Sequence, residues 1–246
     1  MGPKGAMLHM TAQIVIFEGI DGSGKTTLLR NIAKQLQLQG KRVLPFEKRL
    51  INDIADRYSK ESLKLYKSLR DLIYVDDSVY DVAKIPVSTW MYLSVTYYDI
   101  LYNQYILGEA ENFDFILIDG WWYKLFARIM ITTPEDSVRA QHMSKMLPDG
   151  DICIFLDVSL QEAWRRKNGS FSKSELGILN DNASYLKNIN DAHTQYCSFQ
   201  TKVRENMLSL LSPRRVHYIE ADACGLEQLT DMCMNYLGTV STSKVV

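Results

Sequence analysis

Apolar residues along this chain come in two rhythms. Short, nearly continuous apolar runs occupy Gln13–Glu18, 42–46, 113–119, 151–157 and Val216–Glu220. Runs of that length with β-branched and aromatic residues predict buried strands. Between them lie longer stretches with apolar residues three and four apart. Residues 25–39 carry Leu28, Leu29, Ile32 and Leu36 on one face, with Gly40 placed as a C-terminal stop. Residues 52–74 place Leu63, Leu65, Leu69 and Leu72 opposite their charges, and 88–111 form a long helical stretch rich in tyrosine. Pro134 opens a further helix. A helix to about Arg165 follows the fourth run, 168–177 are polar and loop-like, 180–211 are mostly helical, and 226–237 form a last helix. Residues 1–10 and 238–246 read as flexible ends, leaving one domain over 11–237.

Strands alternating with helices imply an α/β domain whose parallel sheet, of about five strands, is covered on both faces. Ligands of such sheets bind beyond the carboxyl ends of the strands. Glu18, Asp119 and Asp157 fall at those ends, so three acids are expected along one edge.

Composition narrows the partners. The 246 residues are 46% hydrophobic and 23% charged, with formal net charge −1. That balance provides no global field for nucleic acid or an anionic membrane, and no apolar run approaches the roughly 20 residues that span a bilayer. Cys153, Cys197, Cys224 and Cys233 form no C-x-x-C pair and the four histidines are scattered. Reduced thiols in a cytoplasmic protein are the expectation.

The chemistry sits between the first strand and the first helix. Gly19-Ile20-Asp21-Gly22-Ser23-Gly24-Lys25-Thr26 matches G-x-x-x-x-G-K-[ST]. Glycines let the backbone wrap a polyphosphate, inward-pointing amides and the helix N-terminus favour its charge, and the lysine reaches the β/γ-phosphates. The expected ATP site is therefore Gly19, Asp21, Gly22, Ser23, Gly24, Lys25, Thr26 and Thr27, and the expected Mg²⁺ site is Thr26 with the strand-end Asp119. Asp119 also reads as a substrate residue orienting the acceptor hydroxyl, or as a strand-end acid capping the next turn. Asp21 is not needed to hold ATP. It reads either as facing an acceptor hydroxyl or as a turn aspartate bonding its own backbone.

The stretch Phe17-Glu18-Gly19-Ile20-Asp21-Gly22-Ser23-Gly24-Lys25-Thr26-Thr27 closely resembles the opening of thymidylate kinases. Pro148-Asp149-Gly150-Asp151, the strand Ile154-Phe155-Leu156-Asp157-Val158, the basic Arg165-Arg166-Lys167, and a later helix containing Tyr196 are similar in order to that family. The resemblance implies a five-stranded P-loop nucleotide-kinase fold of three layers, often dimeric. It also implies ATP and Mg²⁺ as donor and a nucleoside monophosphate such as dTMP as acceptor. Asp21 would then contact the acceptor sugar. Arg165 and Arg166 would belong to a lid over about 165–177, hinged at Gly169 and Gly177, and would steady the transferring group.

Three segments depart from the family pattern. Phe46-Glu47-Lys48-Arg49-Leu50 stands in place of an Arg-Glu-Pro-Gly type stretch, Ser94-Val95-Thr96-Tyr97-Tyr98-Asp99 lacks the arginine of an Asp-Arg pair, and Asp119-Gly120-Trp121-Trp122-Tyr123 replaces Asp-Arg-Tyr. Two arginines that would grip an acceptor phosphate have no counterpart. Either other cations substitute (Lys48, Arg49, Arg57, Lys124 and Arg128 are available), or the acceptor is an unphosphorylated nucleoside or other hydroxyl compound. In the second case Trp121, Trp122, Tyr97 and Tyr98 would line its site. A nucleotide-dependent ATPase and a degenerate binder are the remaining alternatives.

Overall fold

In the computed structural model, the residues described are 12–47, 59–73, 86–172, 175–177 and 191–241. Five parallel strands form one sheet in the order β2-β3-β1-β4-β5: β1 Gln13–Glu18, β2 Val43–Phe46, β3 Phe115–Asp119, β4 Ile152–Asp157 and β5 Val216–Glu220. Among the described residues the helices of seven residues or more are α1 Lys25–Leu38, α2 Lys60–Ile73, α3 Val87–Ile100, α4 Tyr123–Ile129, α5 Pro134–Met143, α6 Leu160–Arg166, α7 Ala192–Leu211 and α8 Leu226–Ser241. A π-helical stretch, Leu101–Ile106, continues α3 and buries Leu101, Tyr105 and Ile106. Among the described residues no helix is long and apolar enough to cross a membrane.

The period of two along the strands divides the interior in half. Val15, Phe17, Leu117, Ile154 and Leu156 face a core built with Leu28, Leu29 and Ile32 of α1 and Cys233 and Leu237 of α8. Ile14, Ile16, Ile116, Ile118 and Phe155 face the opposite core, with Tyr97 and Tyr98 of α3, Phe126 of α4, and Phe199, Val203 and Met207 of α7. The three layers therefore follow from runs that are apolar on both sides of the pleat.

The expected strands are all present, but β2, β3 and β4 start one or two residues later than the apolar runs. At two of these starts acids provide caps rather than rungs: Asp114 Oδ2 accepts from the Arg42 amide at 2.8 Å, and Asp151 Oδ2 accepts from the Ile14 amide at 2.8 Å. Other helix starts use side chains in the same way. Thr133, Ser159 and Asp191 accept from the amides of Asp136, Glu162 and Thr194. The last helix runs past Gly238 to Ser241. Of the helical stretches at 52–74 and 180–211, the parts before Lys60 and Asp191 lie outside the described residues apart from Ser59, as do Lys48, Arg49 and Arg57. The short helix α4 lies in a stretch to which the apolar pattern assigns no element.

Candidate active site

The loop between β1 and α1 borders a cleft of about 1300 Å³ at the carboxyl edge of the sheet. Its walls are residues 21–28, the turn Asp119–Trp121 after β3, Lys124 and Arg128 of α4, the end of α6, and the turn 222–226 before α8. Gly19, Gly22 and Gly24 have φ of 147°, 89° and 94°, so the loop turns on conformations that side chains rarely adopt. A Cβ on Gly22 would lie 2.7 Å from the Ala163 carbonyl, because the loop rests directly on α6. The α1 N-terminus has no side-chain cap, unlike α5, α6 and α7, which leaves its first amides for a ligand.

Lys25 folds back over this nest. Its Nζ donates to the carbonyls of Gly19 and Ile20, both at 2.9 Å, and to Ser23 Oγ at 3.1 Å. Burial, followed by the charge of Lys124, lowers its pKa to about 8 against the opposing pull of Asp21, Glu18 and Asp119. The Thr26 hydroxyl donates to Asp119 Oδ2 at 2.7 Å. One hydroxyl and one carboxylate meeting at a P-loop suit Mg²⁺, which takes few protein oxygens and completes its shell with phosphate and water.

Of the three strand-end acids, only Asp119 lines the cleft. Glu18 is buried and accepts from the Trp121 amide at 2.5 Å, joining the end of β1 to the turn after β3. Asp157 pairs with Arg204 of α7 through two contacts, at 2.7 and 2.5 Å, and ties that helix to the sheet. The expectation of three acids lining one edge is corrected accordingly.

Asp21 does not bond its own turn. Its carboxylate receives Lys124 Nζ at 2.6 Å, Arg128 Nη2 at 2.8 Å and Gln200 Nε2 at 3.2 Å, while its carbonyl receives the Tyr196 hydroxyl at 2.7 Å. Burial pushes its carboxyl up, but the charges of Lys124, Arg128 and Lys25 outweigh that and hold it well below the usual carboxylate range. Lys124 and Arg128 are one helical turn apart on α4, an i, i+4 spacing readable in the sequence once the helix is recognised. Gln200 carried no local signal.

Both lid arginines donate to Glu162, Arg166 through Nε at 2.8 Å, but only Arg166 reaches the loop. Arg166 donates to the Ser23 carbonyl at 2.9 Å and to the Ala221 carbonyl at 2.6 Å, against the phosphate loop. Arg165 is 74% exposed and forks onto Glu162 of its own helix. Gly169 and Gly177 both have positive φ, and Gly177 packs against the Phe199 ring.

The aromatic residues expected to line an acceptor site are mostly core. Tyr97, Tyr98 and Trp122 are buried and absent from the cleft wall. Tyr97 meets Tyr66 hydroxyl to hydroxyl at 2.8 Å, and Tyr98 donates to the Trp121 carbonyl. Trp121 touches the cleft, but its indole is buried and donates to the Pro148 carbonyl at 2.7 Å, where Trp122 also donates at 3.0 Å. One carbonyl holding two indoles fixes both rings inside the fold, so the stacking role given to Trp122, Tyr97 and Tyr98 is corrected to packing.

A five-stranded parallel sheet, a phosphate loop between its central strand and a helix, and a Thr26–Asp119 pair define a fold and site of the P-loop nucleoside-triphosphate-binding class. No family model matches the chain. The probable thymidylate kinase of Metallosphaera sedula is 26% identical over 232 residues, covering 94% of this chain and 95% of its own. Thymidylate kinase from Candida albicans superposes with a TM-score of 0.60 at 16% identity, over 94% of this chain and 93% of that one. The chain is thymidylate kinase-like in fold and in the order of its elements.

Proposed function

We propose that this protein transfers the γ-phosphoryl group of ATP to a nucleoside monophosphate, with dTMP giving dTDP as the leading reaction. The observation that carries this reading is the uncapped nest of Gly19–Thr26 with Lys25 folded over it and Asp119 beside Thr26. Phosphoryl transfer asks for positioning and charge stabilisation rather than covalent catalysis by the protein. Lys25 would leave the loop carbonyls for the β/γ-phosphates. Arg166 already lies against the loop and would stabilise charge on the group in transit, while Arg165, which among the described residues donates to Glu162 alone, would first have to swing away from it. Thr26 and Asp119 would hold Mg²⁺, which supplies charge neutralisation of the phosphates.

Lys124 and Arg128 would serve in place of the missing arginines. They are the cations that α4 delivers to the cleft beside Asp21. A phosphate oxygen of a monophosphate acceptor is already ionised and needs no general base, which fits an Asp21 held too acidic to take a proton. As a kinase of free nucleotides the protein works in the cytoplasm, with neither nucleic acid nor membrane as partner. A homodimer is the assembly the family resemblance suggests.

The test is ADP release from ATP and Mg²⁺ across a panel of nucleosides and nucleoside monophosphates. Stimulation by dTMP supports the reading. Stimulation by nucleosides alone would shift it to a nucleoside kinase, and acceptor-independent turnover would make it an ATPase.

A further inference from the structure

Asp21 is paired on both carboxylate oxygens with a cation, and the two cations are the more accessible partners. The Asp21 side chain is 9% exposed, against 28% for Lys124 and 16% for Arg128. Three donors crowd its two oxygens, and one of them, Gln200, is fully buried and also held by the Glu175 carbonyl at 2.8 Å. The fork of Arg128 is only half used. Nη2 reaches Asp21, its guanidinium lies 5.8 Å from the Phe199 ring centroid, and its buried Nε has no hydrogen-bond partner among the described residues. A buried donor without a partner costs free energy that a second acceptor atom would recover.

We infer that Lys124 and Arg128 form an exchangeable clamp, neutralising Asp21 in the free protein and moving onto a phosphate dianion when the acceptor arrives. The exchange releases Asp21 to accept from a hydroxyl of the same acceptor. This rests on the monophosphate reading above and adds a mechanism of selection to it. An uncharged nucleoside would have to break partly buried ion pairs and leave two cations without a counter-charge, which is costly. A phosphate replaces the carboxylate as counter-ion, so the cations are never unpaired. The site thus tests for phosphate before it exposes the carboxylate.

Calorimetry on the full chain tests the exchange, with the phosphate loop saturated by a non-hydrolysable ATP analogue and Mg²⁺ and inorganic phosphate as the probe. Asp21→Asn frees both cations, so phosphate should bind about three- to tenfold more tightly than to the unaltered protein. Lys124→Met should weaken phosphate about tenfold and shrink the ratio of dTMP to thymidine affinity by a similar factor. Binding of the ATP analogue reports whether each variant is folded. Phosphate affinity unchanged or weakened in a folded Asp21→Asn variant would overturn the clamp. So would an unchanged dTMP to thymidine ratio in Lys124→Met, which stands alone if the first variant misfolds. Turnover with dTMP reports the acceptor reading separately. A working dTMP kinase without the phosphate gain refutes only the clamp, and a phosphate gain without dTMP turnover refutes only the acceptor.

Discussion

Lys25 is the residue on which donor binding would turn in the proposed reaction, and its environment gives it a pH signature. Its pKa of about 8 lies below the ordinary lysine value because the ammonium is buried beside Lys124. Below that pH the charge is present for ATP, and above it the charge is lost, so ATP affinity should fall as pH rises from about 7 to about 9. Bound triphosphate restores the higher pKa, so binding near pH 8 should take up protons, seen as a buffer-dependent heat in calorimetry. Lys25→Met should bind ATP with little of this dependence and show no turnover. Gly22 makes a second residue-scale test. Alanine there must hold φ of 89° with its Cβ 2.7 Å from the Ala163 carbonyl. The backbone conformation alone costs roughly 1–2 kcal/mol, so Gly22→Ala should lower the melting temperature and weaken ATP binding at least about tenfold. The sequence showed both residues plainly, because a phosphate nest requires fixed types at fixed spacing. It did not show that Asp21 faces two cations, since those come from a helix about a hundred residues away.

At the scale of elements, the strands were legible to within two residues and the helix that completes the site was not. A run buried on both sides of the pleat marks a central strand, which is why β1 matches the pattern at both ends. The edge strand β5, with exposed Tyr218 and Glu220, is bounded instead by polar residues close to either end. Helix α4 is seven residues long. Its Tyr123, Leu125, Phe126, Ala127 and Ile129 are all buried, so it lacks the one-sided rhythm that reveals a surface helix. The same burial misled the reading of Trp122 as a ligand platform, because aromatic residues at a strand end look alike in sequence whether they line a cleft or pack beneath it. What holds α4 in place is testable. The Tyr123 hydroxyl donates to Asp149 Oδ1 at 2.5 Å, and Arg214 Nε donates to the other oxygen at 2.7 Å while its guanidinium lies over the Trp122 ring. Tyr123→Phe removes one buried hydrogen bond and should cost about 1 kcal/mol in urea unfolding. Arg214→Ala also strips a cation from two rings and should cost more, and both variants should reduce turnover by loosening Lys124 and Arg128.

At the scale of the whole molecule, the sheet order brings β3 and β4 to either side of β1. That arrangement gathers the phosphate loop, Asp119 and the end of α6 at one edge, while α4 carries its cations in from the β3 side. In the proposed reaction, donor and acceptor charges would be handled by different elements around one cleft: the loop, Lys25 and Arg166 for ATP, Lys124 and Arg128 for the acceptor. The direct test of that division is to follow the label from γ-³²P-ATP in the presence of Mg²⁺ and dTMP. The expected result is label in the β-phosphate of dTDP, absent with Lys25→Met and strongly reduced with Lys124→Met. Label released only as inorganic phosphate, or transferred to thymidine in preference to dTMP, would contradict it.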